Sequence, residues 1–371
     1  MTIGPWQLIP RTEYTVSSRL AVLGLGVAGG AVLSTLLLLL FGLSPVEVFS
    51  TIIHSAFLGG FYAISDTLTQ AIPLILCGLG CAVAFRSGLW NVGAEGQLFL
   101  GAWAATGVAT FVVPPGSSPV WTLTLMALAG FAAGALWGAI PGILKARYQT
   151  NEILVSLMLV YVASEWINYF IYVRWSQGGF QMTPLFPKNA WLPRLSDWAA
   201  EVPSLAGLTL HLGFVLALLA AVLMWFLMWR SARGFEWKVT GISPRVARYA
   251  GMSVKRNIVL VMSLSGGLAG LAGMAEVAGT VHRLQDNFSP GYGFTAILVA
   301  WLARLHPLGV IVAAILLSGL LVGAKEIQPG GVAVLLQGVI LSTVIACDLL
   351  THYRLKRSVA KGPEPIPGGA R

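Results

Sequence analysis

The sequence predicts an all-α, polytopic membrane protein with about ten transmembrane helices, and three observations support this prediction. The 371 residues are 56% hydrophobic and only 10% charged, whereas a soluble domain would be about a quarter charged. Their mean hydropathy is +0.79. Apolar runs of roughly 18 or more residues recur, each long enough to cross a hydrocarbon core about 30 Å thick. Because these runs are continuous and not alternating, they predict helices and exclude a barrel.

Ten spans are predicted, and the first is expected to be retained and not cleaved as a signal peptide. Their approximate bounds are 20–43, 63–85, 91–113, 120–144, 151–173, 209–229, 257–281, 291–303, 307–324 and 330–350. The eighth is short, which predicts a tilted or partly re-entrant segment. The cysteines, Cys77, Cys81 and Cys347, fall within apolar runs, so they predict packing and neither a disulfide nor a metal site.

The basic residues set the expected orientation. With the N-terminus inside, 18 of the 23 Lys and Arg residues fall on the cytoplasmic side, which predicts that both termini are cytoplasmic. The predicted organisation is a cytoplasmic N-terminus (1–19), a transmembrane domain (20–351) and a cytoplasmic basic tail (352–371). The net charge of +9 is then a topology signal and does not predict a nucleic-acid partner. The external loop 174–208, rich in Pro and Trp, is either an interfacial belt or a docking surface.

Spans two to five and seven to ten begin on opposite sides, which predicts an inverted repeat. At an offset of 198 residues, Asn91, Gly93, Ala102 and Trp103 match Ser289, Gly291, Ala300 and Trp301. Each segment has a capping residue, then glycine, then an apolar helix. We expect the segment 91–97 on the cytoplasmic side and 289–293 on the external side. Such glycine-interrupted helix starts indicate a translocation pathway.

Glycines four residues apart predict close helix packing. The spacing occurs at Gly130, Gly134, Gly138 and Gly142 in span four and at Gly266 and Gly270 in span seven. Such stripes allow two helix backbones to approach.

The cytoplasmic loop 230–257 contains a predicted short helix. Ser243 is a good N-cap, Pro244 suits the first helical position, and Gly251 stands where a C′ residue would end the helix. A helix so short is marginal alone and needs a partner, either the lipid interface or a groove in a protein.

Four stretches, in order, resemble the membrane-spanning permease subunits of bacterial ABC importers of the ribose, branched-chain amino acid and nucleoside type. They are GLWNVGAEGQLFLGA (88–102), TNEILVSLMLVYVA (150–163), TGISPRVARYAGM (240–252) and SPGYGFTAILVAWLARLHPLGV (289–310). The combination is most similar to simple-sugar or nucleoside permeases that work with lipoprotein receptors.

The resemblance implies that the helix at 240–251 is a coupling helix inserted into a separate ATP-binding subunit. Its residues would be Gly241, Ser243, Pro244, Arg245, Ala247, Arg248, Tyr249 and Gly251. It also implies a second permease subunit, either a paralogue or a second copy, and an external lipoprotein or periplasmic substrate-binding protein. The chain would reside in the bacterial inner membrane, among lipid, and form half of a pathway for a nucleoside or a simple sugar.

The chain lacks the Walker A, His-Glu-x-x-His and Gly-x-Ser-x-Gly patterns. We therefore expect a transport subunit without catalytic residues, metal or cofactor of its own, with ATP and Mg²⁺ in the partner. The alternative is an ion- or proton-coupled secondary transporter acting without an ATPase. It also predicts inverted repeats, but it leaves the docking helix unexplained.

Candidate pathway residues come from the helix starts and the aromatic residues. They are Asn91, Gly93, Glu95, Gly96, Gln97, Asn151, Glu152, Tyr161, Ser289, Gly291, Tyr292 and Gly293. Glu95 either stabilises its helix start or lines the path, and the same alternatives apply to Asn151 and Glu152. Tyr161 and Tyr292 either pack or stack on a base or sugar ring.

Overall fold

A computed structural model describes residues 2–3, 6–10, 16–114, 116–327, 331–332, 334–339, 342–343, 346 and 353–357. The chain divides into two compact units, one formed by 1–48 with 331–371 and the other by 49–330. The described residues include only parts of the predicted tenth span (330–350) and of the basic tail (352–371).

The first unit contains a long helix and a small sheet. Helix α1 is Val16–Leu40, and strands β1 (Thr2–Ile3), β2 (Trp6–Pro10) and β3 (Tyr353–Arg357) form an antiparallel sheet in the order β1-β2-β3. Trp6 pairs with Arg357, and Pro10 pairs with Tyr353. Outside this small sheet the regular elements of the described residues are helical, as the sequence predicts. The last strand, YRLKR, alternates apolar and polar residues, a period-two pattern that favours strands.

The remaining helices follow the predicted membrane spans closely in most places. They are α2 (Pro45–Ile53), α3 (Gly60–Arg86), α4 (Ala94–Gly107), α5 (Pro119–Tyr148), α6 (Glu152–Tyr169), α7 (Gly213–Arg230), α8 (Ala232–Ile242), α9 (Pro244–Tyr249), α10 (Val254–Glu276), α11 (Tyr292–Leu302) and α12 (Pro307–Ala324). One π-helical turn extends each of α2, α4, α6 and α10. Short 3₁₀ turns at Lys188–Ala190, Leu195–Trp198 and Pro203–Leu205 occupy the 174–208 loop.

Six helices in the described part of the chain are long and apolar enough to span a membrane. They are Gly60–Arg86, Pro119–Tyr148, Glu152–Arg174, Gly213–Arg230, Val254–Val281 and Pro307–Ala324. Helix α11 has 11 residues, which at 1.5 Å per residue gives a length of only about 16 Å. The sequence prediction missed α2, although Ser44 and Pro45 form a start signal, and it missed α8 inside the 230–257 loop.

Helices α3 and α10 form the buried centre of the second unit and pack against each other. Helices α4 and α5 pack on α10, while α11 and α12 pack on α3, and α4 contacts α11. Exchanging α3 with α10, α4 with α11 and α5 with α12 reproduces this set of contacts. The predicted repeat requires this arrangement for the first three helices of each set, which are α3 to α5 in one and α10 to α12 in the other.

The glycine stripes bring α5 and α10 together. A Cβ atom added to Gly134 would collide with the carbonyl oxygen of Gly266, and one added to Gly270 would collide with that of Gly130. The backbones therefore touch where the spacing predicts contact. This close packing fixes α10, which carries residues that support the site described next.

Candidate functional site

Residues 87–93 return from the end of α3 into the bundle as a turn followed by an irregular stretch, and Asn91 is completely buried there. The Asn91 side chain donates to Gln97 Oε1 and to Ser265 Oγ, both at 2.8 Å, and accepts from Gln97 Nε2 at 3.0 Å and Gly93 N at 3.1 Å. Ser265 donates to the Gly80 carbonyl at 2.7 Å. The network uses each hydrogen-bonding group of the Asn91 side chain, as burial requires.

Glu95 joins the start of α4 to the start of α11. Its Oε1 accepts from Ser289 Oγ at 2.6 Å and its Oε2 accepts from Gly293 N at 2.5 Å. Ser289 Oγ also accepts from Gly291 N and Tyr292 N, both at 3.3 Å. A carboxylate here meets free amides and the positive end of the α11 dipole. Glu95 is only 3% exposed, so it holds the two segments together in this conformation.

We call segments 91–97 and 289–293 the paired helix starts. They were expected on opposite sides of the membrane, yet the structure brings them into direct contact. The paired helix starts lie inside the bundle and not at its surface. The Asn91 network contacts Gly80, which lies six residues before the end of α3. This places the network about 9 Å from that end, measured along the axis of α3. The first residues of these helices are Ala94 in α4 and Tyr292 in α11. They are 198 residues apart, which is the offset at which the two segments match in sequence.

Glycines allow the paired helix starts to pack. A Cβ atom on Gly293 would collide with the backbone nitrogen of Glu95, and one on Gly96 would lie 2.9 Å from Val160 Cα in α6. Gly93 meets Ser156 of α6 in the same way. Gly291 has a φ of +91°, a left-handed conformation that favours glycine. Tyr292 is buried, which fits packing better than ring stacking on a substrate.

Asn151, Glu152 and Tyr161 lie elsewhere, at the start and along the length of α6. The Asn151 side chain accepts from Ile153 N at 3.0 Å and caps the helix, while Glu152 pairs with Lys145 at 2.9 Å. Both contacts support a structural role, fixing the connection between α5 and α6. Tyr161 is 62% exposed, so its ring is open to a ligand, to lipid or to another subunit.

At the end of the bundle that carries residues 230–257, α9 has the predicted cap geometry. Ser243 Oγ accepts from Val246 N at 3.4 Å, and Gly251 has a φ of +76°. Ala247 is buried and anchors the helix, whereas Tyr249 is 96% exposed.

The exposed surface formed by α9 and the last residue of α8 combines apolar and basic groups. Ile242, Val246 and Tyr249 are exposed apolar or aromatic side chains, and Arg245 and Arg248 are exposed beside them. We call these five residues the docking face. A solvent-exposed tyrosine among aliphatic and arginine side chains has the composition of a protein-binding surface.

Close backbone contacts connect the docking face to the paired helix starts. A Cβ atom on Gly241, at the end of α8, would lie 2.6 Å from the Ser87 carbonyl carbon, and one on Gly88 would lie 3.0 Å from Gly241 Cα. Asn91 follows Gly88 closely in the same 87–93 segment. Asn257 of α10 bonds to Glu236 and Thr240 of α8, both at 3.3 Å. Displacement of α8 and α9 would therefore push on both the 87–91 segment and α10.

The opposite end of the bundle is held by the 174–208 loop. Arg194 donates from Nε and Nη2 to the Gly279 carbonyl, at 2.9 and 2.7 Å, and from Nη2 to the Thr280 carbonyl at 2.7 Å. It thereby satisfies free carbonyls at the C-terminal end of α10. Trp191 stacks on the ring of His282 with centroids 3.8 Å apart.

Sequence reasoning missed several residues of the site. Ser265 and Asn257 are isolated polar residues on α10, and no local motif indicates that one bonds to Asn91 and the other to α8. The offset between the two repeats could have indicated the contact between Glu95 and Gly293, because the two residues are equivalent positions 198 apart.

The arrangement defines a class of protein: a helical transport subunit in which helices begin inside the bundle and a short exposed helix carries apolar and basic side chains. The comparisons identify the family. Residues 63–345 match the family described as the permease component of the branched-chain amino acid transport system, and the chain belongs to that family. It is a multi-pass membrane permease subunit of an ABC transporter. It is a transport component and not a catalyst, and it works with an ATP-binding subunit and a substrate-binding partner.

Three relatives are similar over most of their length. The guanosine ABC transporter permease NupP of Bacillus subtilis is 38% identical, over 85% of this chain and 87% of its own. The glucose ABC transporter permease TsgB13 of Haloferax volcanii is 35% identical, over 95% and 91%. The nucleoside ABC transporter permease NupB of Lactococcus lactis is 30% identical, over 86% and 88%. A solved metal-chelate type ABC transporter, 19% identical with a TM-score of 0.43, is too distant to support an argument. It covers 90% of this chain and 99% of its own.

Proposed function

We propose that this permease imports a nucleoside or a simple sugar. The relatives named for guanosine, nucleosides and glucose support this substrate range. The chain would form half of the pathway, with a paralogous permease or a second copy forming the other half. An external lipoprotein or periplasmic receptor would deliver the substrate, and the ATP-binding subunit would hold ATP and Mg²⁺.

The observation that carries the proposal is the connection from the docking face to the paired helix starts. The ATP-binding subunit would bind Ile242, Val246 and Tyr249, with Arg245 and Arg248 at the rim of the contact. Movement of α9 would reach Asn91 through Gly241 and Gly88, and would reach α10 through Asn257. The paired helix starts would then separate or shift to change access to the pathway.

We further propose ten spans, with both termini and the docking face in the cytoplasm and the 174–208 loop outside. The distribution of Lys and Arg supports this orientation. The pairing of β2 with β3 supports placing the two termini on one side of the membrane.

The test is binding of the ATP-binding subunit to the full-length permease in nanodiscs. Replacing Tyr249 with alanine removes the most exposed aromatic ring of the docking face, so we expect about 30-fold weaker binding, as for a hot-spot tyrosine worth about 2 kcal/mol. Tyr148→Ala is the matched control, because Tyr148 is also an exposed tyrosine, 63% exposed, at the predicted cytoplasmic end of α5.

Uptake into proteoliposomes provides the second measurement. We expect wild-type uptake of guanosine or glucose only with the receptor, the ATP-binding subunit and ATP. Equal binding by Tyr249→Ala and the wild type would reject α9 as the coupling helix. Uptake by the chain alone, driven by an ion gradient without ATP, would instead support secondary transport.

A further inference from the structure

Two adjoining cavities share the segment that leads into α11. The wider one, about 450 Å³, lies between residues 179–182 and 285–287, within the size range of small-molecule pockets, about 300–1,000 Å³. The narrower one, about 70 Å³, is bounded by Phe99 of α4, Asn168 of α6 and residues 285–289. Residues 285–287 form a wall of both, and we call the two together the outer cleft.

Backbone pairing joins the two segments that line the wider cavity. Met182 pairs with Gln285 in an isolated antiparallel bridge, and Asp286 N donates to the Gln181 carbonyl at 3.2 Å. Arg283 Nη1 donates to Met182 Sδ at 2.7 Å. The cavity wall is therefore a pair of joined extended segments and not a loose loop.

The lining groups favour a neutral ligand that is rich in hydroxyl groups. The outer cleft presents carboxamides from Asn168, Gln285 and Asn287, which both donate and accept hydrogen bonds, and a single carboxylate from Asp286. Asp286 already accepts from Asn287 N at 2.8 Å and Asn287 Nδ2 at 3.0 Å. Of the described residues that line either cavity, none is Lys or Arg, and the neighbouring Arg283 already donates to Met182 Sδ. The charged group of the lining is the Asp286 carboxylate, which repels a phosphate or carboxylate ligand.

Aromatic rings complete the lining. Phe99 and Phe288 lie 5.5 Å apart between ring centroids at the narrow end, and Phe180 is 66% exposed at the wide end. Amides that bond hydroxyls, together with aromatic faces that cover the C–H surface of a ring, suit a furanose or pyranose ring.

The outer cleft also ends at the paired helix starts. Ser289 lines the narrow cavity and donates to Glu95 at 2.6 Å. A ligand in the cleft would contact the segment whose position determines where α11 begins. We propose that the outer cleft is a substrate-contacting subsite for the sugar ring of the transported molecule, whether a free sugar or the ribose of a nucleoside. This inference rests on the proposed transport function and assigns it a location.

The test measures ligand protection of an introduced thiol in the full-length chain, without ATP or partner proteins. Gln285→Cys in the cleft is labelled with a water-soluble maleimide in nanodiscs, after subtraction of labelling in the parent chain. We expect D-ribose, D-glucose or guanosine to slow labelling, by about tenfold at ten times the Kd. L-Leucine, a charged zwitterion, should not protect. Gln177→Cys, in the neighbouring 174–208 loop but outside the cleft, is the matched control.

Two further variants separate the subsite from general misfolding. Asn168→Leu removes a lining amide at similar volume, and Ser164→Ala is a milder change beside it; in the Gln285→Cys background we expect each to reduce protection. Absence of protection, equal protection by leucine, or equal protection of Gln177→Cys would overturn the subsite. Because the assay needs no ATP, such a failure alongside ATP-dependent uptake rejects the subsite alone, whereas ion-driven uptake without the ATPase rejects the proposed importer.

Discussion

At the scale of single residues, Glu95 shows why a carboxylate occurs between apolar helices. The sequence alone is compatible with two roles for Glu95, stabilising its helix start or lining the path. The structure places both oxygens on donors from the other half of the repeat, Ser289 and Gly293. Two helix N-termini that converge within a bundle bring partial positive charge together, and one buried carboxylate offsets it.

Replacing Glu95 with alanine should strongly destabilise the permease. The Ser289 hydroxyl and the Gly293 amide would lose their acceptor in a buried site, which costs about 2–4 kcal/mol for two unsatisfied donors. The measurement is the denaturation midpoint in detergent. Glu165→Ala, at an exposed glutamate of α6, should leave the midpoint unchanged. A double-mutant cycle with Ser289→Ala should show coupling, and strict additivity would contradict the contact.

At the scale of elements, the packing of α5 on α10 depends on glycine. Gly134→Ala should lower the free energy of unfolding by about 1–3 kcal/mol, because a Cβ would overlap the Gly266 carbonyl and force the helices apart. Gly29→Ala is the matched control, because Gly29 is also helical and a Cβ added there would have no atom within 4 Å. Gly29→Ala should leave the free energy of unfolding unchanged or raise it slightly. Equal changes in the free energy of unfolding at the two positions would show that helix propensity decides the effect, and not the contact between α5 and α10.

The loop contacts outside the spanning helices should be sensitive to acid. Burial lowers the pKa of His211 to about 3 and that of His282 to about 4, and the nearby Arg194 guanidinium contributes to both shifts. Both rings are therefore neutral in the folded protein, whereas in the unfolded chain they titrate near a pKa of about 6.5. The stability that they contribute is complete above about pH 6.5 and decreases as the pH falls towards about 4.

The expected outcome is a denaturation midpoint that falls between about pH 7 and about pH 4. His282 Nδ1 lies 2.9 Å from the Ala278 carbonyl, and Nε2 has no partner among the described residues. Protonation would therefore bury an unpaired N–H group. His282→Gln should reduce the pH dependence, while His54→Gln, at a histidine in the π-helical turn after α2, should preserve it. If the denaturation midpoint of His282→Gln depends on pH as steeply as that of the wild type, His282 is not the source of the acid sensitivity.

Periodic and local signals make most elements predictable, and the exceptions have physical causes. The cap of α9 is predictable because Ser243, Pro244 and Gly251 act within one short helix. The sequence places the start of α4 at Asn91, three residues before Ala94. The buried Asn91 side chain bonds to the distant Ser265, and such a contact leaves no local signal in the sequence. Contacts such as that of Gly241 with Ser87 depend on the packing of α8, a helix that the charged loop sequence conceals.

At the scale of the whole bundle, its two ends are connected through its centre. The docking face lies beside the contact of Gly241 with the 87–88 turn, that turn leads to Asn91, and Glu95 holds the segment that ends the outer cleft. This chain of contacts gives a binding event at one end a direct physical route to the other. These contacts transmit a movement of α9 only if α9 is held rigidly against the rest of the helix bundle.

Gly251→Val tests that rigidity. The φ of +76° at Gly251 is strained for valine, so the turn that fixes the end of α9 should rearrange and reduce uptake per ATP hydrolysed. Gly116→Val is the matched control, because Gly116 has a φ of +90°, with open space around it as at Gly251, but lies in the α4–α5 connection. Both variants should lose similar stability, about 1–3 kcal/mol of backbone strain. Only Gly251→Val should uncouple hydrolysis from uptake in proteoliposomes, and equal coupling in the two variants would show that α9 does not transmit the motion.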